Sequence, residues 1–286
     1  MRTLSTVAPF GFDFEEDRYL AAYAALGCTG AQYYRNLERE PSVSDVLATC
    51  GRHGLRVDSM HGVFGPEIDP SSPNADHRAK CLERYRAEGE LSLELGAPMV
   101  VVHPSAHLPA PPDDPFNFPE FAPEEAAARE RTLWPHFDDF ARRLADIGEQ
   151  LGVTYIFENM GMVAPVGHNA AALAEHVASV GSERIRMCFD TGHAHFTGDM
   201  LAALRARPEA IAYLHLHDND RVIDNHLLPG DGTIDWFDFG QAVRSLAIQA
   251  PCMIEVFVPI KKVEALDRVQ YGRFLSMACA LPPRAA

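Results

Sequence analysis

Short runs of Val, Ile, Leu and aromatic residues alternate along the chain with longer stretches whose apolar positions recur every three or four residues. The short runs predict strands near residues 3–8, 31–34, 55–60, 98–103, 153–158, 184–190, 211–217 and 252–256. The stretches between them predict helices near residues 17–26, 42–53, 76–95, 124–151, 168–180, 200–206, 236–246 and 263–279. Residues 76–95 show the helical period plainly, with Cys81, Leu82, Tyr85, Leu91 and Leu95 on a shared face. Several of these helices end on glycine just before the next strand, at Gly27, Gly54, Gly96 and Gly152. Glycine tolerates the left-handed conformation that a helix C-cap needs. Strand–helix units of about 35 residues predict parallel strands joined by crossover helices. Eight units close naturally into one (β/α)8 barrel over the whole chain, residues 1–286. An open doubly wound sheet is the alternative, but no Gly-rich phosphate loop follows the first strand.

Composition narrows the function more than the fold. A chain of 286 residues with 47% hydrophobic content can bury a sizeable core. The formal net charge of −15 argues against a nucleic acid partner, whose phosphates call for a basic face. No stretch approaches 18 consecutive apolar residues and no signal peptide is evident, so neither a membrane span nor export is expected. The six cysteines are scattered without a CxxC pair, which suits a reducing cytoplasm. A Pro-rich insert at about residues 104–123 reads as a long functional loop. Barrels of this size often pair, so a homodimer is compatible with the sequence.

The chemistry lies at the strand ends. His61 follows LRVDSM, His103 ends PMVVV, Glu158 ends VTYIF and Asp190 ends RIRMCF with His193 three residues on. His215 and His217 end IAYLHLH, and Glu255 follows PCMI. In a barrel these ends converge on one face, where catalytic sites are built. Taken singly, each residue has a plainer reading: a carboxylate after a strand is often the N-cap of the next helix, and DTGH around Asp190 could be only a tight turn. Taken together, several carboxylates in one pocket would repel one another unless a cation sat among them. Carboxylate and imidazole ligands without thiolate suit Mn²⁺ or Zn²⁺ first, and also Mg²⁺, Co²⁺ or Fe²⁺. A second polar stretch, HLHDNDRVIDNHLLPGDGTIDW, offers Asp224 and His226 at a spacing that lets both reach one ion from an extended loop. Its end, PGDGTIDW, reads as a turn that returns the chain to the next helix.

In these motifs the chain resembles the xylose-isomerase-like barrel superfamily, which holds sugar isomerases and epimerases and the apurinic endonuclease family. The resemblance runs roughly from His61 to Glu255 and rests on VVVHPS, IFENM, FDTGH, HLHDND, DNHLLPGDGTIDW and MIEVF in combination. It implies the barrel, and it implies a divalent metal held by Glu158, Asp190, His215 and Glu255. His215 is preferred to His217 as the imidazole ligand, because Asp218 then falls three residues later, as in the family pattern. The endonuclease branch uses further ligands for a three-metal cluster, and His61, His103, His193, Asp224 and His226 match them.

The leading expectation is a metal-dependent isomerase or epimerase of a sugar, keto-sugar or polyol derivative. Glu158 and Glu255 would be the base and acid that move the α-proton through a metal-stabilised enediolate. His193 would hold a substrate hydroxyl, and His61, His103 and His217 further oxygens. Trp134, Phe64, Phe116 and Phe118 are candidates to cover the apolar face of a sugar, although simple packing is the plainer reading of each. The alternative is a multinuclear zinc hydrolase, phosphodiesterase or lyase.

Overall fold

The computed structural model describes residues 3–109 and 119–281. Eight strands form a closed parallel barrel in chain order: β1 (Leu4–Phe10), β2 (Gly30–Arg35), β3 (Arg56–His61), β4 (Met99–Val102), β5 (Thr154–Glu158), β6 (Ile185–Asp190), β7 (Ile211–Leu216) and β8 (Cys252–Ile254). β1 closes the ring on β8, with Thr6 opposite Ile254. The helices are α1 (Glu16–Leu26), α2 (Val43–Arg52), α3 (Ala75–Glu94), α4 (Pro123–Leu151), α5 (Ala170–Val180), α6 (Thr191–Thr197), α7 (Met200–Ala206), α8 (Trp236–Ser245), α9 (Ile260–Glu264) and α10 (Arg268–Ala278). The expected (β/α)8 architecture is therefore the observed one. Among the described residues no helix is long and apolar enough to cross a membrane.

Two elements differ from the periodicity. The helix expected over 263–279 is split into α9 and α10, because the Asp267 side chain accepts from Val269 N and Gln270 N and starts a new helix. The DTGH segment is not a bare turn but the start of α6, capped by Asp190, whose Oδ1 accepts from His193 N at 2.7 Å. The glycine stops are as expected: Gly27, Gly54, Gly96 and Gly152 all have positive φ, between 68° and 105°.

Buried Val, Ile, Leu and aromatic side chains fill the space between strands and helices. The barrel interior also carries a polar plug. The Tyr213 hydroxyl of β7 donates to Asp58 Oδ1 of β3 at 2.9 Å, and Gln32 Nε2 of β2 donates to Ser59 Oγ at 2.9 Å. β3 and β7 are not neighbours in the sheet, so the first of these bonds crosses the interior. Hydrogen bonds of this kind tie the strands to one another through the barrel interior.

On the outer layer, α8 and α10 approach so closely that a Cβ on Gly240 would lie 2.4 Å from the Met277 carbonyl oxygen. Gly240→Ala is expected to cost about 1–3 kcal/mol by overpacking. Urea unfolding checks this, and an unchanged midpoint would show that the two helices are not in such contact.

Candidate metal centre

The barrel mouth gathers the strand ends. Glu158 closes β5, Asp190 closes β6, His215 is the next-to-last residue of β7, and Glu255 follows β8 directly. Parallel register sets Asp190 beside His215, and His215 beside Met253. Four side chains then meet. His215 Nδ1 lies 2.8 Å from Glu158 Oε1, 2.8 Å from Glu255 Oε2 and 4.0 Å from Asp190 Oδ2. One ligand atom from each of these residues falls within 4.8 Å of the others. All four are buried.

Two further groups adjoin this quartet. The second oxygen of Glu158, Oε2, faces His61 Nε2 at 3.4 Å and His103 Nε2 at 3.5 Å. Glu158 thus belongs to two ligand sets, one through each oxygen. The third group is His193, His217, Asp224 and His226. His193 Nε2 is 3.0 Å from Asp224 Oδ2, His226 Nε2 is 3.8 Å from the same atom, and His217 Nδ1 is 3.7 Å from Asp224 Oδ1. His215 and His217 take different places: His215 faces the two glutamates, whereas His217 Nε2 faces Asp190 Oδ1 at 2.9 Å and stacks on His226 at 3.7 Å. A Cβ on Gly192 would sit 2.0 Å from the His217 ring, so this tight passage needs glycine.

Local structure holds these groups in place. Asn159 clamps Asp190 through its backbone, accepting from Asp190 N at 2.8 Å and donating to Asp190 O at 3.0 Å. The loop that carries Asp224 and His226 is organised by Asp218. Its carboxylate accepts from Asn219 N, Gly230 N, Ile234 N and the Trp236 indole, at 2.8–3.1 Å. The PGDGTIDW segment therefore does return the chain to α8, and it does so around a buried carboxyl group. Asp218, Asn159 and Tyr34, whose hydroxyl donates to Glu255 Oε1, were not singled out by the strand-end pattern. Tyr34 stands near the end of β2 and was open to the same positional reasoning, but a phenol is not a ligand-type residue.

The electrostatics point to a cation. Burial pushes the Glu158 carboxyl up, yet the His215 charge and hydrogen bonds from His103, His215 and His61 outweigh it and hold the group well below the usual carboxylate range. Burial likewise opposes ionisation of His193 and His215, but the carboxylates around them, with Cys188 beside His215, keep both imidazoles protonated well above the usual range. Partial burial pushes the Asp224 carboxyl up, but His193, His217 and His226 outweigh it and hold the group low. Among the described residues, Glu158 Oε2, Asp190 Oδ2, Glu255 Oε2, Asp224 Oδ1 and both ring nitrogens of His217 are buried without a well-directed hydrogen bond, even where an imidazole or carboxylate stands close by. Buried polar atoms are almost always satisfied, and His215 Nδ1 carries one proton for two carboxylates equidistant from it. Divalent ions would satisfy these atoms and displace the imidazole protons. The donor set fits the group that the sequence implies.

The aromatic candidates are spread over the barrel. Phe64 is half-exposed beside His61, with ring centroids 5.1 Å apart, and packs against His103 at 4.8 Å. Trp134 does not face the mouth: it stacks on His176 of α5 at 3.8 Å, between helices. Phe116 and Phe118 lie outside the described residues, as does much of the Pro-rich insert. Phe257, next to Tyr34 and His226, is a half-exposed aromatic at the mouth that the sequence did not flag. Arg221 donates to the carbonyls of His195 and Gly198, and Lys262 pairs with Asp231 at 2.7 Å.

Known proteins place this geometry in context. The chain is 26% identical over 208 residues to protein MJ1311 of Methanocaldococcus jannaschii, covering 68% of this chain and 63% of that one. It is 26% identical over 160 residues to a probable endonuclease 4 of a Geobacillus species, covering 56% of this chain and 47% of the relative. It thus spans about three fifths or less of the length of these curated relatives. Among solved structures, a D-allulose 3-epimerase from a Methylomonas species superposes with a TM-score of 0.73 at 15% identity, over 98% of both chains. Residues 20–271 match the family described as xylose isomerase-like TIM barrel. The chain belongs to the xylose isomerase-like TIM barrel family.

Proposed function

We propose that the chain is a divalent-metal-dependent isomerase or epimerase of a small sugar, keto-sugar or related polyol. The observation that carries this reading is the convergence of Glu158 and Glu255 on His215 Nδ1, each at 2.8 Å. The two carboxylates reach that point from strand ends on either side of β7 around the barrel. Glu158, Asp190, His215 and Glu255 would hold the ion, with Mn²⁺ or Zn²⁺ the best fit to carboxylate and imidazole donors. A bound divalent ion supplies polarisation of a carbonyl, which eases loss of the neighbouring proton.

The protein groups then do the proton work. One glutamate takes the α-proton and the other returns a proton to the same or the adjacent carbon, which inverts the centre or moves the carbonyl. Both carboxylates are held below the usual range, which suits either to act as base; the one that returns the proton must itself carry it when the substrate binds. His61, His103 and His193 line the rim as hydroxyl partners, and the half-exposed rings of Phe64 and Phe257 suit the apolar face of a sugar. The solved epimerase cited above acts, by its description, on D-allulose, a free ketose, and supports this substrate class by analogy only.

A second reading, a multinuclear hydrolase or phosphodiesterase, is favoured by one observation: Glu158 presents its other oxygen to His61 and His103, and His193, His217, Asp224 and His226 form a third ligand group. The endonuclease relative is in keeping with it.

Metal content separates the two. Protein stripped with a chelator and reloaded is expected to melt several degrees higher with Mn²⁺ or Zn²⁺ than without, because an ion that binds only the folded state stabilises it. Elemental analysis at saturation that gives one ion per chain supports the isomerase; two or three support the hydrolase. Proton exchange tests the assigned bases. Across a panel of ketoses, wild-type protein in D2O is expected to incorporate deuterium next to the carbonyl of its substrate. Glu158→Gln and Glu255→Gln should each lower that incorporation by at least 100-fold. Undiminished incorporation in both variants would remove the two glutamates from the proton path.

A further inference from the structure

Glu158 and Glu255 approach the same nitrogen at the same distance, yet their outer oxygens meet different partners. Glu158 Oε2 faces two imidazoles at 3.4 and 3.5 Å. Glu255 Oε1 accepts a short hydrogen bond from the hydroxyl of Tyr34, 221 residues away in sequence. We propose that Tyr34 is a positioning residue that fixes Glu255 with one oxygen turned away from the centre and the other, Oε2, presented to the metal. This rests on the metal-centre reading above, and not on the choice between isomerase and hydrolase.

The placement of Tyr34 leaves it little else to do. It stands near the end of β2, opposite Pro9 of β1, and β1 in turn pairs with β8, which Glu255 follows. Its ring packs on His61 with centroids 4.4 Å apart and meets Phe257 at 6.1 Å, so the phenol cannot swing aside without losing both contacts. A phenol beside a carboxylate is the donor, so the one hydroxyl proton of Tyr34 is committed to Glu255 Oε1. Glu255 cannot then turn Oε1 towards the ion without breaking a charge-assisted hydrogen bond. Among the described residues no hydroxyl restrains Glu158 in this way. The pair is unequal: Glu255 is pinned as a one-oxygen ligand, whereas Glu158 can share its two oxygens between ligand groups. Partners of this kind that orient metal ligands typically contribute 10–100-fold to metal affinity.

The test uses metal-free full-length protein titrated with Mn²⁺ and followed by electron paramagnetic resonance of the free ion. Tyr34→Phe keeps the ring on His61 and removes only the hydroxyl. The expected result is an Mn²⁺ affinity weakened about 10–100-fold with the number of ions bound unchanged. An affinity within twofold of wild type overturns the proposal. Removing the hydroxyl also leaves a buried carboxylate oxygen without its donor, so the change is repeated in the Glu255→Gln background, where no buried charge is left bare. There, adding Tyr34→Phe should weaken binding by less than twofold, because Tyr34 acts through Glu255. A further tenfold loss in that background would show that Tyr34 acts by another route and would overturn the assignment. A wild-type chain that takes up neither Mn²⁺ nor Zn²⁺ sinks the metal reading itself and this proposal with it.

Discussion

The site is organised by one constraint: buried carboxylates meet at the mouth of the barrel with too few protons to go round. Glu158 and Glu255 both sit 2.8 Å from a nitrogen that carries a single hydrogen. In low dielectric such a cluster is tolerable only if positive charge is brought to it. The protein meets that need partly with imidazoles. Six of them line the mouth, from His61, His103, His193, His215, His217 and His226, and several are driven to protonate by the acids they face. The barrel makes the crowding possible, because parallel strands deliver their last residues to one face however far apart they lie in sequence.

Much of the supporting structure serves to hold that unfavourable gathering still. Asn159 fixes the backbone of Asp190, and Asp190 in turn caps α6, so one carboxylate oxygen is spent on the helix while Oδ2 points to the centre. Asp190 thus caps the helix through one oxygen and leaves the other available for the proposed ligand role. Asp218 plays a similar part for the loop that bears Asp224 and His226: its carboxylate collects four donors and so is satisfied without an ion. A Cβ on Gly232 would lie 2.3 Å from that carboxylate, which explains why the turn is built from glycine.

The fold and the ten polar strand-end and loop residues were legible because both follow from periodicity and position. Alternation of short apolar runs with helical stretches counts eight units, and polar residues at the ends of apolar strands stand out against them. What stayed hidden depends on contacts between distant elements. Nothing in AQYYR says that the second tyrosine will reach Glu255, since that contact spans 221 residues and exists only after the barrel closes. Phe257 reads as one more apolar residue after a strand, and its exposure beside His226 is a property of the closed mouth. Trp134 takes the plainer of its two readings: a large aromatic in a long amphipathic helix, it packs on His176 and not on the mouth. The break between α9 and α10 was visible in principle, because Asp267 is a good N-cap, but the apolar spacing runs through it and masks the stop.

Charge balance links the number of ions to the chemistry. Four carboxylates face the three ligand groups: Glu158, Asp190, Glu255 and Asp224. One divalent ion leaves two negative charges, which protonated imidazoles can offset; such a centre keeps movable protons beside the substrate, as proton transfer requires. Two divalent ions balance the four carboxylates and drive the imidazoles to the neutral, metal-binding form; such a centre is suited to activating water against an ester. Glu158 is the residue on which the two states turn, because its Oε1 serves the quartet and its Oε2 the histidine pair. An ion at the pair would draw Oε2 into coordination and remove Glu158 from service as a free base. The isomerase reading therefore requires more than that the quartet fill. It requires that the His61–His103 pair remain a hydrogen-bonding pair while it does so.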